Sequence, residues 1–256
     1  MALEITFLGT GTSQGVPFIG CQCAVCQSPN SKDQRLRSSL LVQSKETTLV
    51  IDTGPDFRQQ MLRSKTQKID AILFTHSHKD HIAGLDDIRA FNYHQGKAID
   101  VYASLETQEV IKREFPYIFS EYKYPGIPEI NLVTIDKNTP FAIQDIHITP
   151  IEVMHYKMPV LGFRMGNFTY ITDANFIEEP EKEKIKGSAT MVLNALRKEK
   201  HISHFTLDEA IALSTELNIP STYFTHISHQ LGLHEAESQL LPSNFYLAFD
   251  GLNIRV

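Results

Sequence analysis

Short apolar or alternating runs recur along the whole chain and predict β-strands. They lie between turn-forming residues and are rich in Ile, Val, Leu, Phe and Thr, a composition typical of strands. The pattern predicts strands at residues 5–8, 48–51, 71–74, 101–103, 146–153, 169–171, 191–193, 222–224 and 246–249. Helical signals fall between these runs, so the pattern indicates an α/β protein.

One of the helices has a clear start signal. In TLDEAIALSTEL, Thr206 can cap the helix and Glu209 follows three residues later, which is the capping-box pattern. Ala210, Leu213 and Leu217 then recur at helical spacing. The Pro- and Tyr-rich stretch 115–128 is irregular instead, and its composition fits a lid and a packed loop equally well.

Composition narrows the class of protein without changing the fold prediction. The chain has 256 residues, 42% of them hydrophobic and 21% charged, which is enough to bury one large core or two small ones. No Gly- or Ser-rich linker divides the sequence, so we expect one domain over residues 1–256. The formal net charge of -6 disfavours broad binding to nucleic acid.

The sequence shows neither a membrane span nor a secretory signal. The segment MALEITFLGTG has no basic stretch followed by a long apolar one. No window approaches the roughly 20 apolar residues that a membrane helix needs. We therefore expect a cytoplasmic protein that does not interact with membranes.

The segment THSHKDH, residues 75–81, concentrates costly polar side chains directly behind the apolar run IDAILF. Imidazole nitrogens and carboxylate oxygens are ligands that zinc and manganese take in proteins. His76 and His78 alternate along the chain and can face one ion, whereas Asp80 and His81 lie past the bend and can reach a second. The spacing predicts a site for two metal ions.

Two ions need more ligands than one loop supplies, and three candidates follow other predicted strands. They are His155 in VMHYKM, Asp173 in YITDAN and His226 in YFTHIS. A carboxylate between two ions can bridge them, so we expect Asp173 to be the shared ligand. Two bridged ions hold a hydroxide at neutral pH and neutralise the oxygens of a phosphodiester, which predicts hydrolysis of such an ester.

The leaving oxygen of that ester needs a proton, and the segment KEKHISHFTLDEA offers two donors. They are His201 and His204, and the residues alone do not decide between them. Three other histidines, His94, His147 and His234, are expected to be structural or surface residues.

The three cysteines of the chain lie together, with Cys21, Cys23 and Cys26 in C-x-C-x2-C spacing. A disulfide is not expected in a cytoplasmic protein, and a tetrahedral zinc site needs only one more ligand. The cluster predicts a structural zinc site, with metal-free thiols as the alternative.

These segments resemble the metallo-β-lactamase-fold hydrolases over nearly the whole chain. The resemblance is carried by ITFLGTGTSQGVPF, LVIDTGPDF, FTHSHKDHIAGLDD, YITDAN, FTHISHQ and FYLAFDGLNIRV. Within this superfamily the chain is most similar to the PhnP-like cyclic phosphodiesterases and next to the ribonuclease Z family. The resemblance implies an αββα sandwich with the metals at one edge, and a homodimer.

The resemblance also assigns residues to roles. It implies that His76, His78 and His155 bind one ion, that Asp80, His81 and His226 bind the other, and that Asp173 bridges them. It further implies that Asp52 orients the metal-binding loop, that His229 completes the cysteine site, and that His204 rather than His201 is the proton donor. Asp80 is expected to act in catalysis with His204. The implied cofactors are two divalent ions, zinc or manganese, and one structural zinc ion.

The implied reaction is hydrolysis of a small phosphodiester by a metal-bound hydroxide, with 5-phosphoribosyl 1,2-cyclic phosphate as the first candidate substrate. A ribonuclease Z-like RNA 3′-end nuclease is the alternative, disfavoured by the acidic charge and the absence of a tRNA-clamping arm. A glyoxalase-like thioester hydrolase uses the same loop and stays open as well. A non-catalytic relative usually lacks a ligand, and a diiron oxygen-reducing enzyme favours Glu ligands and a flavin domain; neither fits this sequence.

Overall fold

The computed structural model describes residues 2–122 and 124–256, and its strands follow the predicted apolar runs. Within these residues fourteen strands are present. They are β1 (Glu4–Gly9), β2 (Ser39–Gln43), β3 (Thr48–Ile51), β4 (Ala71–Leu73), β5 (Ile99–Ala103), β6 (Ile130–Thr134), β7 (Phe141–Ile143), β8 (Ile146–His155), β9 (Met158–Met165), β10 (Phe168–Ile171), β11 (Thr190–Asn194), β12 (Ser221–Thr225), β13 (Phe245–Leu247) and β14 (Asn253–Arg255).

Helices connect many of these strands. The described residues form α1 (Phe57–Ser64), α2 (Lys79–Ile82), α3 (Arg89–Gln95), α4 (Leu105–Glu114), α5 (Glu179–Ile185), α6 (Leu207–Glu216) and α7 (His234–Leu240). Helix α6 begins at the predicted cap: the Thr206 side chain accepts from the Glu209 backbone N–H, and the Glu209 carboxylate accepts from the Thr206 N–H. The capping-box prediction is confirmed.

All nine predicted strands overlap observed ones, whereas β2, β6, β7, β9 and β14 have no counterpart in the prediction. Pro159 and Gly162 interrupt the pattern of β9, and both residues are uncommon inside strands. Strands β6 and β14 have only half-buried and exposed residues, so neither shows a clear apolar face. Strand β14 pairs with β1, at the opposite end of the described chain, so its position depends on tertiary pairing rather than on local pattern.

The strands form two seven-stranded sheets with matching organisation. The first has the order β14-β1-β2-β3-β4-β5-β6 and the second has the order β13-β12-β11-β10-β9-β8-β7. In each sheet, three neighbouring pairs are antiparallel and three are parallel. The parallel pairs need helical crossovers, and this is where helices occur in the chain.

Three buried clusters reveal the layers. One contains residues of both sheets, such as Phe7 and Phe163, and is the core between them. A second joins α6 to the second sheet through residues such as Leu213 and Phe224. The third joins α1 and α3 to the first sheet through residues such as Phe57. The order helix, sheet, sheet, helix is the αββα sandwich that the resemblance implied, and that prediction is confirmed.

The stretch 115–128 combines packed and exposed parts. A 3-10 turn at Pro116–Phe119 buries Ile118 in the first helical layer, whereas Tyr122 and Tyr124 are exposed. Residue 123 lies outside the described residues. None of the residues described in 2–122 and 124–256 forms a helix that is long and apolar enough to cross a lipid bilayer. The single domain over residues 1–256 stays a prediction.

Candidate metal centre

The ends of strands from both sheets meet at one edge of the sandwich and carry the predicted ligands. Asp52 follows β3, His76 follows β4, Asp173 follows β10 and His226 follows β12, while His155 is the last residue of β8. Because the carboxyl ends of parallel strands lie at the same edge, residues far apart in sequence come together there.

Asp173 lies at the centre of this arrangement. Its Oδ1 is 2.9 Å from His226 Nδ1, and its Oδ2 is 3.4 Å from His81 Nε2 and 3.6 Å from His76 Nε2. The carboxylate is buried, and it contacts histidines of both predicted ion sites. This position is the one that a bridging ligand requires.

Three groups of possible metal ligands share Asp173, and within each group the ligand atoms lie within 4.8 Å of one another. They are Asp80, His81, Asp173 and His226; His76, His78 and Asp173; and His155, Asp173 and His204. The first group matches the predicted second ion site. His155 lies with His204 rather than within the His76 and His78 group, although its ring centroid is 5.1 Å from that of His78. Its assignment to the first ion stays a prediction.

Asp52 forms hydrogen bonds with two residues of the metal-binding loop. Its Oδ2 accepts a hydrogen bond from His81 Nδ1 at 2.7 Å and another from the Thr75 hydroxyl at 2.8 Å, while Oδ1 accepts from the Thr75 N–H at 2.9 Å. These bonds fix the His81 ring and leave Nε2 facing Asp80 and Asp173. A ligand histidine is oriented in this way in most protein metal sites.

The rings of His155 and His226 are oriented by partners that the sequence did not reveal. His155 Nδ1 donates to the Ser203 carbonyl at 2.9 Å, so Nε2 is the ring nitrogen that is left to bind an ion. His226 lies within hydrogen-bond distance, 3.3 Å, of the hydroxyls of Thr12 and Ser38. Thr12 and His226 are 214 residues apart, so no local signal could link them.

Burial and neighbouring charges shift the pKa values of these groups. Burial, together with the charge of His81, holds the pKa of His76 well below the ordinary imidazole value. Burial alone would raise the pKa of Asp173, but the charges of His226 and His81 lower it far below the usual carboxyl value. Burial opposes the charge of His81, but the carboxylates of Asp80, Asp173 and Asp52 raise its pKa.

The residues fit divalent metal ions. Among the described residues, His76 Nε2 and His81 Nε2 are buried ring nitrogens without a hydrogen-bond partner. A buried polar atom of this kind is costly unless a ligand satisfies it. Both atoms face Asp173, so a cation between them would satisfy the imidazoles and compensate the carboxylate charge.

The two candidate proton donors differ in burial and in their distance from the ligand histidines. His204 is buried, with its ring centroid 4.6 Å from that of His155 and 4.8 Å from that of His226. Burial lowers the pKa of His204 to about 3. His201 is only half-buried and lies outside His204, with centroids 5.1 Å apart. His204 is thus the one of the two that is buried against the ligand histidines, and its role as proton donor stays a prediction.

The four residues of the predicted structural zinc site lie together, and the zinc ion stays a prediction. Cys21 Sγ is 3.4 Å and Cys23 Sγ is 3.3 Å from His229 Nδ1, and Cys26 lies with them in one group of ligand atoms. The hydrogen bond from His229 lowers the pKa of Cys23 to about 6, whereas burial raises that of Cys26 to about 11. His229 is three residues beyond His226, so one short segment joins both clusters.

A cavity of about 620 Å³ opens at the metal centre and includes His78, His155 and Ser203 in its lining. No described residue of the stretch 115–128 lines it, so the structure provides no support for a lid there. Another cavity, of about 630 Å³, lies between α1 and α3 and contains none of the predicted site residues. His94 lines that second cavity, His147 is exposed on β8, and His234 is buried.

Comparison with known proteins places the fold and the site in a family context. A family model described as the beta-lactamase superfamily domain matches residues 47–227. The crystal structure of a new diphosphatase from the PhnP family is similar at a TM-score of 0.94 and 39% identity, covering 100% of this chain and 98% of that one. Zinc-bound PqqB from Methylobacterium extorquens has a TM-score of 0.79 at 19% identity, covering 98% and 99% of the two chains. That match shows the fold alone.

Two curated relatives are longer than this chain. An octanoyltransferase of Porphyromonas gingivalis is 37% identical over 98% of this chain and 51% of its own length. A ribonuclease Z of Acaryochloris marina is 31% identical over 64% of this chain and 47% of its own length. The chain therefore spans about half the length of the curated relatives it matches.

Proposed function

We propose, from the premise that this chain belongs to the beta-lactamase superfamily and is a hydrolase with the metallo-β-lactamase fold, that it hydrolyses a small phosphodiester. The observation that carries the proposal is the position of Asp173 between histidines of two ligand groups. Support for phosphorus chemistry comes from the PhnP-family diphosphatase, which is similar over the full length of this chain.

In such a reaction, some residues of the centre would hold the metal ions and others would orient these ligands. His76, His78, His155, Asp80, His81, His226 and Asp173 would hold two divalent ions. When bound, these ions supply Lewis acidity to the phosphoryl oxygens and lower the pKa of water. Asp52 keeps the His81 ring in place through its 2.7 Å hydrogen bond, and the pair of hydrogen bonds from Thr75 fixes Asp52 in turn.

His204 serves the leaving group. Hydrolysis forms a bond from the water oxygen to phosphorus and breaks the ester P–O bond, so the departing oxygen must gain a proton. Because burial lowers the pKa of His204 to about 3, its ring is neutral at pH 7 and takes the proton that it delivers from the attacking water. His204 Nδ1 is buried and has no hydrogen-bond partner among the described residues, so it is available to a bound ligand. Its ring lies against His155 and His226, two of the residues that would hold the ions.

A small cyclic ester suits this site better than RNA. The net charge of -6 opposes a long polyanion, whereas a cavity of about 620 Å³ is large enough for a single small ligand. The ribonuclease Z relative keeps the RNA 3′-end nuclease as the second candidate. Octanoyl transfer is a different class of reaction. The relative named as an octanoyltransferase is matched by this chain over only 51% of its length.

The test is hydrolysis of 5-phosphoribosyl 1,2-cyclic phosphate by the manganese-loaded protein, followed by phosphorus NMR. We expect turnover by the wild type, loss of turnover in His76→Ala and unchanged turnover in His147→Ala, which removes an exposed histidine of β8. A precursor tRNA and a glutathione thioester are assayed beside it. Cleavage of either of those, with no hydrolysis of cyclic phosphodiesters, would overturn the proposal.

A further inference from the structure

The cavity at the metal centre has walls that metal binding does not explain. His78 and His155, which group with Asp173, line one part of it, and the other lining residues come from the β8–β9 turn and from the segment before α6. The hydrogen bond from His155 Nδ1 to the Ser203 carbonyl ties these two segments together at 2.9 Å. The residues farther out are Tyr156, Lys157 and Ile202.

Tyr156 is held beside the cavity in an unusual backbone conformation. Its φ is 59°, in the left-handed region that bulky side chains rarely adopt. The Asn175 side chain accepts a hydrogen bond from the Tyr156 N–H at 2.7 Å and so stabilises this turn. Backbone strain of this kind persists where the surrounding structure imposes it, commonly at functional sites. The tyrosine ring is therefore placed at the cavity by a constrained turn directly after a candidate ligand.

The side chains of Tyr156 and Ile202 are exposed although both are largely apolar. Tyr156 is 49% exposed and Ile202 is 64% exposed, and both line the cavity. Exposed apolar groups that face a cavity next to polar chemistry are typical of a ligand site. An aromatic ring on one side and a branched aliphatic chain on the other would bind a planar group between them.

Lys157 adds a positive charge to the same wall. Its Nζ lies 5.3 Å from the centroid of the Tyr156 ring, within the range of a cation–π contact. None of the described residues that line the cavity carries a carboxylate. The ammonium group is thus positioned to attract an anionic substrate rather than to pair within the wall.

We propose that Tyr156 and Ile202 bind a planar aromatic group of the substrate, such as a nucleobase, and that Lys157 contributes a positive charge toward its phosphate. This proposal rests on the proposed function, in which the phosphorus of the substrate would lie beside His78 and His155. It narrows the substrate from any small phosphodiester to a nucleoside phosphodiester. A compound without a base reaches the same metals but lacks the contacts of the outer walls.

Equilibrium binding tests this subsite without requiring turnover. The affinities of the manganese-loaded full chain for adenosine 5′-monophosphate and for ribose 5-phosphate are compared by titration calorimetry. We expect the nucleotide to bind about 10-fold more tightly than ribose 5-phosphate, because base stacking on an aromatic ring supplies the difference. Tyr156→Ala should remove this preference, and Tyr156→Phe, which keeps the ring, should retain it. Lys157→Met should weaken both ligands by a similar factor.

Equal affinity of the wild type for the two ligands, or a preference that survives in Tyr156→Ala, would overturn the subsite. Its failure is distinguishable from failure of the proposed function. A nucleotide preference that depends on Tyr156, in a protein that hydrolyses no phosphodiester, keeps the subsite and removes the reaction. Hydrolysis of the base-free cyclic phosphate together with equal affinities keeps the reaction and removes the subsite.

Discussion

Three residues of the metal centre adopt left-handed backbone conformations although none is glycine. The φ angles are 63° at Asp52, 56° at Asp173 and 56° at His226. Asp52 and His226 directly follow strands β3 and β12, and Asp173 lies two residues beyond the end of β10, so all three are at the edge where the two sheets meet. A left-handed conformation costs roughly 1–2 kcal/mol for an L-residue, so the surrounding hydrogen bonds must compensate for it.

His204 provides the sharpest test of a single side chain. We expect His204→Ala to keep its metal content and to lose turnover by about 100- to 10,000-fold, because the leaving oxygen no longer receives a proton. The loss should be largest for substrates with poor leaving groups. Steady-state kinetics on esters of graded leaving-group pKa measure it, with His201→Ala as the matched control. If His201→Ala shows the loss and His204→Ala does not, the two roles are exchanged.

The buried residue His234 should make the stability of the protein depend on pH. Burial, with the nearby Arg35 guanidinium, lowers its pKa to about 4, and Arg35 Nη2 lies 3.1 Å from His234 Nδ1. The unfolded chain takes up a proton below about pH 6.5, which the folded protein resists until about pH 4. The free energy of unfolding should therefore decrease as the pH is lowered from about 6.5 to about 4, and this group contributes at most about 3 kcal/mol to the decrease.

Urea unfolding of the wild type and of His234→Asn across that pH range measures this contribution. Asparagine can still accept a hydrogen bond from Arg35 but does not titrate, so the variant should lose less stability on acidification. His94→Asn, at an exposed histidine, is the control and should follow the wild type. Parallel curves for wild type and His234→Asn would contradict the assignment.

At the scale of elements, Gly54 permits the metal-binding loop to pack against the turn that follows β3. A Cβ at this position would lie 2.1 Å from the Asp80 backbone oxygen, a distance that requires the backbone to shift. We expect Gly54→Ala to displace Asp80 and His81 and to reduce the metal content together with the melting temperature. Metal analysis and thermal denaturation of the same preparations give both readouts.

Gly166 is the matched control for that change. Its φ of 60° makes alanine unfavourable, yet no atom lies within 4 Å of the position of its Cβ. Gly166→Ala should lower the melting temperature by about 2–4 °C and leave the metal content unchanged. Full metal content in Gly54→Ala would show that the loop tolerates the shift.

The cysteine cluster joins the N-terminal loop to the segment that carries His226. Loss of one thiolate should release zinc and weaken this connection, so we expect Cys23→Ser to lower the melting temperature by about 5–10 °C. The turnover of molecules that remain folded should fall less, because the cluster does not contain the reacting groups. Gln22→Ser, between two cysteines, is the control. Equal melting temperatures for Cys23→Ser and Gln22→Ser would indicate that no structural zinc is present.

Much of this arrangement follows from sequence pattern, and the exceptions have a physical reason. Apolar runs locate the strands, and the residues just behind them are those that the edge of the sandwich collects, such as Asp173 and His226. Strand β9 was missed because Pro159 and Gly162 break its pattern. Thr12 was missed because it meets His226 only in the folded protein, and Tyr156 because its turn depends on the distant side chain of Asn175.

At the scale of the whole molecule, two similar halves of the sandwich contribute to one centre. The first sheet supplies the loop with His76, His78, Asp80 and His81, and the second supplies His155, Asp173 and His226. Binding of ions between the sheets should therefore stabilise the folded state as a whole, since unfolding separates the ligands. The homodimer implied by the resemblance stays a prediction.

Metal content per chain tests the central claim most directly. The protein is purified without chelator, and zinc and manganese are counted by mass spectrometry against the protein concentration. The two active-site ions and the cysteine site together predict about three ions per chain, and about two in Cys23→Ser. A value of about one or less in the wild type, after supply of both metals, would contradict a dinuclear centre at Asp173.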